Sequence, residues 1–405
     1  MKLIATVAAL AAAGPACAQS ITPAPFTLAP LLDARARYEH VEQDGSARDA
    51  DALTVRLRAG IEAKTGGLSA LVEGQGNLAV VDRYFDGLNG VQTRPLIADP
   101  QNIALYRAQV RLAGKGIAFT AGRQRIALDD ERFVGAVAFR NNGQTFDATR
   151  AEWSPLAKLK LDLSYAWSQR TIWGIDGRST RPQAVSGNTV LANAGYQTPL
   201  GRLTGFAYLI DQDLTAVQGY RLSSQTYGAR FAGAYPLSQR VKLNYQVSYA
   251  HQQNWHGSPN RYRAGYYLAD AGVSAAAFKA GLGYEVLGAD RGIALTSFQT
   301  PLATAFKFQG WADKFLTTPP DGVRDLYGSV GYGMKGGPKL GIVTVQAIYH
   351  RFESDRQVRH YGDELDLIAS ATLGRTALSV RYADYSAKRF AADTRKLWLQ
   401  ADWTL

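Results

Sequence analysis

Past its first eighteen residues the chain is written in alternation. Between Val241 and Tyr249, the residues Val241, Leu243, Tyr245, Val247 and Tyr249 share one side, and Lys242, Asn244, Gln246 and Ser248 share the other. Successive side chains of a β-strand point to opposite faces, so this pattern suits a strand between an apolar medium and water. Such segments recur at about ten residues each, the length a tilted strand needs to cross a bilayer. Counting by period two predicts about eighteen strands. One set starts near Leu28, Leu68, Ile117, Leu159, Arg202, Val241, Ala277, Leu340 and Arg375. The opposing set starts near Ala52, Ile103, Gly143, Thr189, Leu222, Tyr262, Val323, Asp363 and Thr394.

The connections fall into two alternating classes. Lys64–Gly67, Gly114–Gly116, Ser154–Lys158, Pro199–Gly201, Pro236–Arg240, Lys335–Lys339 and Gly374 are short and carry the Gly, Pro and Ser that tight turns require. Val81–Asn102, Ala127–Asn142, Ile172–Asn188 and Ala289–Gly322 are long and polar. A soluble two-sheet sandwich has no reason to keep this asymmetry. A transmembrane antiparallel β-barrel does, with short periplasmic turns and long extracellular loops. Trp153, Tyr196, Tyr235, Tyr332 and Trp403 close strands beside the short turns, where amphipathic rings suit the inner lipid interface.

The ends agree with this reading. Lys2 is followed by an apolar stretch from Leu3 to Ala13 and then by Ala16-Cys17-Ala18, which predicts a secretory leader over residues 1–18, cleaved before Gln19. Residues 19–405 then form a single barrel domain. Cys17 is the sole cysteine, so the exported chain would have no disulfide and must be held by other means; a closed ring of strands supplies them. Leu397, Leu399, Ala401, Trp403 and Leu405 alternate to the last residue.

Charge decides what the inner face is for. Lys and Arg number 45 against 34 Asp and Glu, a net charge of +11. Export, together with the lack of any zinc, helix-turn-helix or RNA-binding pattern, argues against nucleic acid as the partner. An Arg or Lys on the lipid face at mid-bilayer costs roughly 2–4 kcal/mol, so alternation sends the charges inward. That assigns Arg35 and Arg37, Arg56 and Arg58, Arg107 and Arg111, Lys160, Lys242, Lys279 and Arg381 to the lumen. Asp33, Asp162 and Glu285 join them as structural partners. The faces are ambiguous over Gly122–Arg125 and Phe146–Arg150, where the apolar phase slips and a bulge or an inward-folding loop is expected. An arginine excess in a wet bore favours anions, carboxylates above all, because the planar guanidinium can hold both oxygens.

The irregular stretches carry a resemblance. Gly122-Arg123-Gln124, Asp129 to Gly135, Phe139-Arg140-Asn141-Asn142 and Thr145-Phe146-Asp147 resemble the central signature of the alginate-export outer-membrane barrel family. Gln309 to Phe315, Thr318-Pro319 and Asp325-Leu326-Tyr327 are similar to a second block of that family. The resemblance implies an eighteen-stranded barrel whose arginine-rich constriction passes an acidic polysaccharide, with Arg123 and Arg140 among its anion-binding positions and Asp147 as a structural partner.

The expected function is therefore an anion-selective outer-membrane channel for an acidic, uronate-type saccharide, with uptake of small organic anions as the alternative. Its partners would be outer-membrane lipid and lipopolysaccharide, the anionic solute and periplasmic export components. No cofactor or metal is expected. His40, His251, His256, His350 and His360 are scattered without metal-ligand spacing, and Asp129-Asp130-Glu131 reads as solvated surface before a calcium loop. A barrel enzyme could be imagined around His256 with Ser258, or His360 with Asp363, but no nucleophile motif supports either.

Overall fold

The computed structural model describes residues 25–213, 220–337 and 339–405. The proposed leader lies outside them. The strands that leave the short-turn side are β1 (Phe26–Gln43), β3 (Leu68–Arg83), β5 (Ile117–Gln124), β7 (Leu159–Arg170), β9 (Arg202–Gln212), β11 (Val241–Asn254), β13 (Phe278–Leu287), β15 (Ile342–Glu353) and β17 (Thr376–Ala387). Those that return are β2 (Ala50–Thr65), β4 (Asn102–Gly114), β6 (Thr145–Leu156), β8 (Ala184–Gln197), β10 (Ser224–Pro236), β12 (Arg263–Ala275), β14 (Val323–Lys335), β16 (His360–Leu373) and β18 (Thr394–Thr404). Every strand pairs antiparallel with its sequence neighbours, and β1 pairs with β18 from Asp33↔Thr404 to Gln43↔Thr394. The sheet closes on itself and leaves no free edge, which is what backbone polar groups need inside lipid.

Predicted and observed starts coincide at Leu68, Ile117, Leu159, Arg202, Val241, Val323 and Thr394. The widest gap is at β8, which begins at Ala184, not near Thr189, because Gly187 sits inside its first residues and interrupts the alternation that marks a strand.

The faces follow the pleat. Leu53, Val55 and Leu57 point outward while Thr54, Arg56 and Arg58 are buried within. Trp153, Tyr196 and Tyr235 are exposed beside the short turns. A second outward row, Tyr165, Tyr227, Tyr249, Tyr267, Tyr284 and Tyr349, lies toward the long loops. Two aromatic belts thus bracket the apolar band, one at each lipid interface. Register slips in β4 opposite Glu73 and Gly74, so both Tyr106 and Arg107 turn inward. This bulge brings the Tyr106 ring to 3.9 Å from the Arg58 guanidinium.

Candidate functional site

Two long loops cross the bore, and the loop between β3 and β4 adds Asp99 beside Arg37 and Asn141. The one between β5 and β6 first follows the far wall. Asp129 accepts a hydrogen bond from Asn193 of β8 at 2.8 Å, Asp130 pairs with Arg230 of β10 at 2.5 Å, and Arg132 pairs with Glu285 of β13 at 2.6 Å. It then crosses the barrel. The Phe139 carbonyl accepts from Arg35 of β1 at 2.9 Å and also from Arg37. Asn141 donates to Thr54 of β2 at 2.8 Å, and Asn142 accepts from Gln75 of β3 at 2.8 Å. The segment has little helix- or strand-forming periodicity. Its backbone is satisfied instead by side chains of the wall, as buried backbone must be.

The loop between β13 and β14 packs against the first. The amides of Trp311 and Ala312 donate to Asp366 and Glu364 of β16 at 3.2 and 2.7 Å. Gly310, in the left-handed region at φ 78°, brings this backbone so close that a Cβ there would overlap the Glu364 carboxylate. Asp313 pairs with Arg140 at 2.6 Å and Lys396 of β18 at 2.9 Å. Burial pushes the Asp313 carboxyl up, but Lys396 and Arg140 outweigh it and hold it below its usual range. For Arg140, burial is likewise overcome by Asp313, Glu39 and Asp99, and its pKa is raised. Burial, then the nearby Lys396, pull the Lys314 ammonium down to about 8. Between the loops lies an aromatic layer: Phe133 against Phe206, Tyr266 and Phe298, and Phe139 against Phe306 and Trp398.

The arginines of β1, β2 and β17 gather at this constriction. Arg35 sits directly opposite Arg56 in the sheet register. Arg35 donates to Asp402 at 2.6 Å, Arg56 pairs with Asp33, and Arg37 reaches Asp99 at 3.2 Å and Gln400 at 2.8 Å, with Phe139 stacked at 4.2 Å. Arg58 donates to Gln75 at 2.6 Å. Arg381 of β17 approaches Phe139 and Trp311 at 5.4 and 5.9 Å. Among the described residues, Nε and Nη1 of Arg56 and Nη1 of Arg381 are buried donors with no hydrogen-bond partner. Such donors carry a desolvation cost unless something accepts from them, and a carboxylate would.

The other expected lumen residues are spread through the bore. Arg107 pairs with Glu73 at 2.6 Å. Toward the periplasmic turns, Arg111 is held by Glu152 and Thr120. Lys160, Lys242 and Lys279 lie at that end too, exposed. Asp162 partners Arg150 at 2.5 Å, and Glu285 partners Arg132 and Tyr266. Asp129, Asp130 and Glu131 are not a free solvated run: each is taken up by wall or loop partners, Glu131 by Thr304 at 2.5 Å.

Arg123 corrects the expectation of a lumen role, while Asp147 is its structural partner. Ile117, Phe119 and Ala121 point outward on β5 and Arg123 continues that row; on β6, Phe146 and Ala148 belong to the interior cluster, so Asp147 between them faces out. Arg123 binds Asp147 at 2.7 Å, and Arg170 adds a bond to the same carboxylate at 3.1 Å. The triad clamps the extracellular ends of β5, β6 and β7 from outside and does not reach the bore. A motif match carries residue type; the face is set by pleat parity, and parity here opposes the expected role.

Sequence reading missed Arg125, Arg132, Arg150, Arg202 and Arg230. Parity with Ala148 marks Arg150 as inward, and parity with Thr204 marks Arg202. Arg132 and Arg125 sit in irregular backbone, where alternation carries no signal. Elsewhere, His360 meets Asp363 at 2.9 Å and His256 meets Asp211 at 3.7 Å. At the β1–β2 hairpin, ligand atoms of His40, Glu42 and Asp49 lie within 4.8 Å of one another, a grouping that sequence spacing did not reveal.

A closed antiparallel ring with lipid-facing aromatic belts and inward loops is an outer-membrane channel. The solved structures agree on the fold. OccAB4 of Acinetobacter baumannii superposes with a TM-score of 0.70 at 13% identity, covering 96% of this chain and 100% of that one. OpdK of Pseudomonas aeruginosa, crystallised with vanillate, gives 0.68 at 11% identity, covering 93% and 98%. OccK9 (OpdG) of Pseudomonas aeruginosa gives 0.68 at 14%, with the same coverage. No curated protein matches the sequence. Residues 82–287, just over half of the 405-residue chain, match the alginate export family, and the chain belongs to it.

Proposed function

We propose that this channel is anion-selective and exports an acidic, uronate-type polysaccharide or its oligomers, delivered by periplasmic partners after a leader ending near Ala18 is removed. The observation that carries this reading is the cluster of Arg35, Arg56 and Arg381, with its buried, unpartnered guanidinium donors beside the two inward loops. Family membership supports it. A passing carboxylate trades part of its hydration for these donors. The acids Asp33 and Asp402 moderate the attraction, so the chain is held weakly enough to move on. The aromatic layer around the loops narrows the bore, which favours a second reading, uptake of small organic anions.

The test is bilayer recording across a salt gradient. Arg56→Glu with Arg381→Glu should move the reversal potential toward cation preference, while the variant barrel keeps its heat-modifiable gel mobility. An unchanged reversal potential would sink the role of the cluster. Block by oligomeric but not monomeric uronate separates export of a polymer from uptake of small anions.

A further inference from the structure

We infer that the periplasmic mouth carries a capture site for a polyanionic chain, distinct from the constriction. The inference rests on the polyanion reading above and adds a place where the chain is first held.

Four strands that leave the short-turn side each open with a lumen-facing cation. Lys160 is the second residue of β7, Arg202 the first of β9, Lys242 the second of β11 and Lys279 the second of β13. Parity turns all four inward. Lys160 shares its row with Asp162 and Ser164, Arg202 with Thr204 and Phe206, Lys242 with Ser248 and Ala250, and Lys279 with Glu285. All are exposed, and among the described residues none makes a side-chain hydrogen bond or an ion pair.

This is unlike most arginines of the bore, such as Arg35, Arg37, Arg107 and Arg150, which are held by acids. The difference lies in the neighbours. Across the sheet, Lys160 faces Gly195, Arg202 faces Gln197 and Ala232, Lys242 faces Ser274 and Pro236, and Lys279 faces Ser274 and Gly331. None of these carries a carboxylate, and most are small, so the Lys242 and Lys279 ammonium groups have no acid beside them; the Arg202 guanidinium lies over Gly195, and Lys160 and Arg202 have Glu152 and Asp129 nearby. Ser274 pairs with both Lys242 and Lys279, which puts those two cations in one row, two strands apart, or roughly 10 Å. A flexible chain bearing one carboxylate per sugar can meet such exposed charges in turn. A free anion would gain less from any single one, because isolated exposed charges are worth little.

The lining continues sideways into a cavity of about 560 Å³ under the first inward loop, where Lys160 and Arg202 meet Arg111, Arg150, Asp129 and Glu152. A captured chain would therefore be passed from unpaired cations toward paired ones. Unpaired charges attract at range and raise the capture rate; paired ones bind more weakly and let go.

The test is one-sided addition of oligouronate to single channels. Reversing Lys242 and Lys279 together (K242E, K279E) should lower the blocking on-rate from the periplasmic side about tenfold and leave the extracellular on-rate unchanged. The milder pair K242Q and K279Q should give a smaller loss of the same sidedness. The wild-type periplasmic on-rate should fall with added salt. Equal on-rates from the periplasmic side in wild type and variant, or equal losses from both sides, would overturn the capture site. So would unchanged block combined with failed export in cells, which would assign the arc to an acidic protein partner. A wild-type channel that oligouronate never blocks would instead refute the polyanion reading itself.

Discussion

Arg35 and Arg56 face each other across β1 and β2, an arrangement that like charges in a sheet resist. Asp402 and Asp33 offset the repulsion without cancelling the surplus of donors. Lys314, bonded to Gln43 at the far end of β1, gives the bore a pH dependence. Half-buried near Lys396, its ammonium is pulled down to about 8, so it is cationic below that pH and neutral above. Anion preference should therefore fall as pH rises from 7 to 9, and Lys314→Gln should flatten that profile. A wild-type reversal potential that stays constant over this range would rule the lysine out. In the sequence Lys314 is one more lysine in a long loop, and nothing local marks it as half-buried. The inward face of Arg56 was legible, because Val55 and Leu57 flank it. The outward face of Arg123 was not, because the apolar phase slips just there.

At the scale of elements, the strands were written plainly and the inward loops were not. Strand and turn periodicity is local: Lys242 and Asn244 mark the wet side of β11 without reference to any other strand. Loop 288–322, by contrast, is held by β16 through the amides of Trp311 and Ala312. Gly310 is the hinge of that attachment. Gly310→Val adds a β-branched side chain at positive φ, costing about 1–3 kcal/mol, and collides with Glu364. The expected outcome is an assembled barrel whose loop is loosened, read as larger current noise and higher mean conductance. A variant as quiet as wild type would show that the loop is held elsewhere, for example by the Asp313–Lys396 pair.

At the scale of the molecule, closure takes the place of disulfides and is backed by the aromatic cluster around the inward loops. The seam between β1 and β18 runs from Asp33↔Thr404 to Gln43↔Thr394, and its loss would expose two unpaired edges to lipid, at several kcal/mol for each unsatisfied group. Deletion of residues 394–405 should therefore abolish the heat-modifiable, membrane-assembled form altogether. A truncated chain that still migrates as a folded barrel would contradict the closure argument.

Alternation along the chain sufficed to determine the strand number, the faces of the regular strands and the two classes of connection, since each follows from a period-two signal within a few residues. Which acid quiets which arginine was decided only by the closed ring. Arg35 meets Asp402 from the opposite end of the chain, and Arg132 meets Glu285 across the lumen. No local pattern encodes those encounters, because they exist only once strands far apart in sequence share one wall and two loops are drawn inside it.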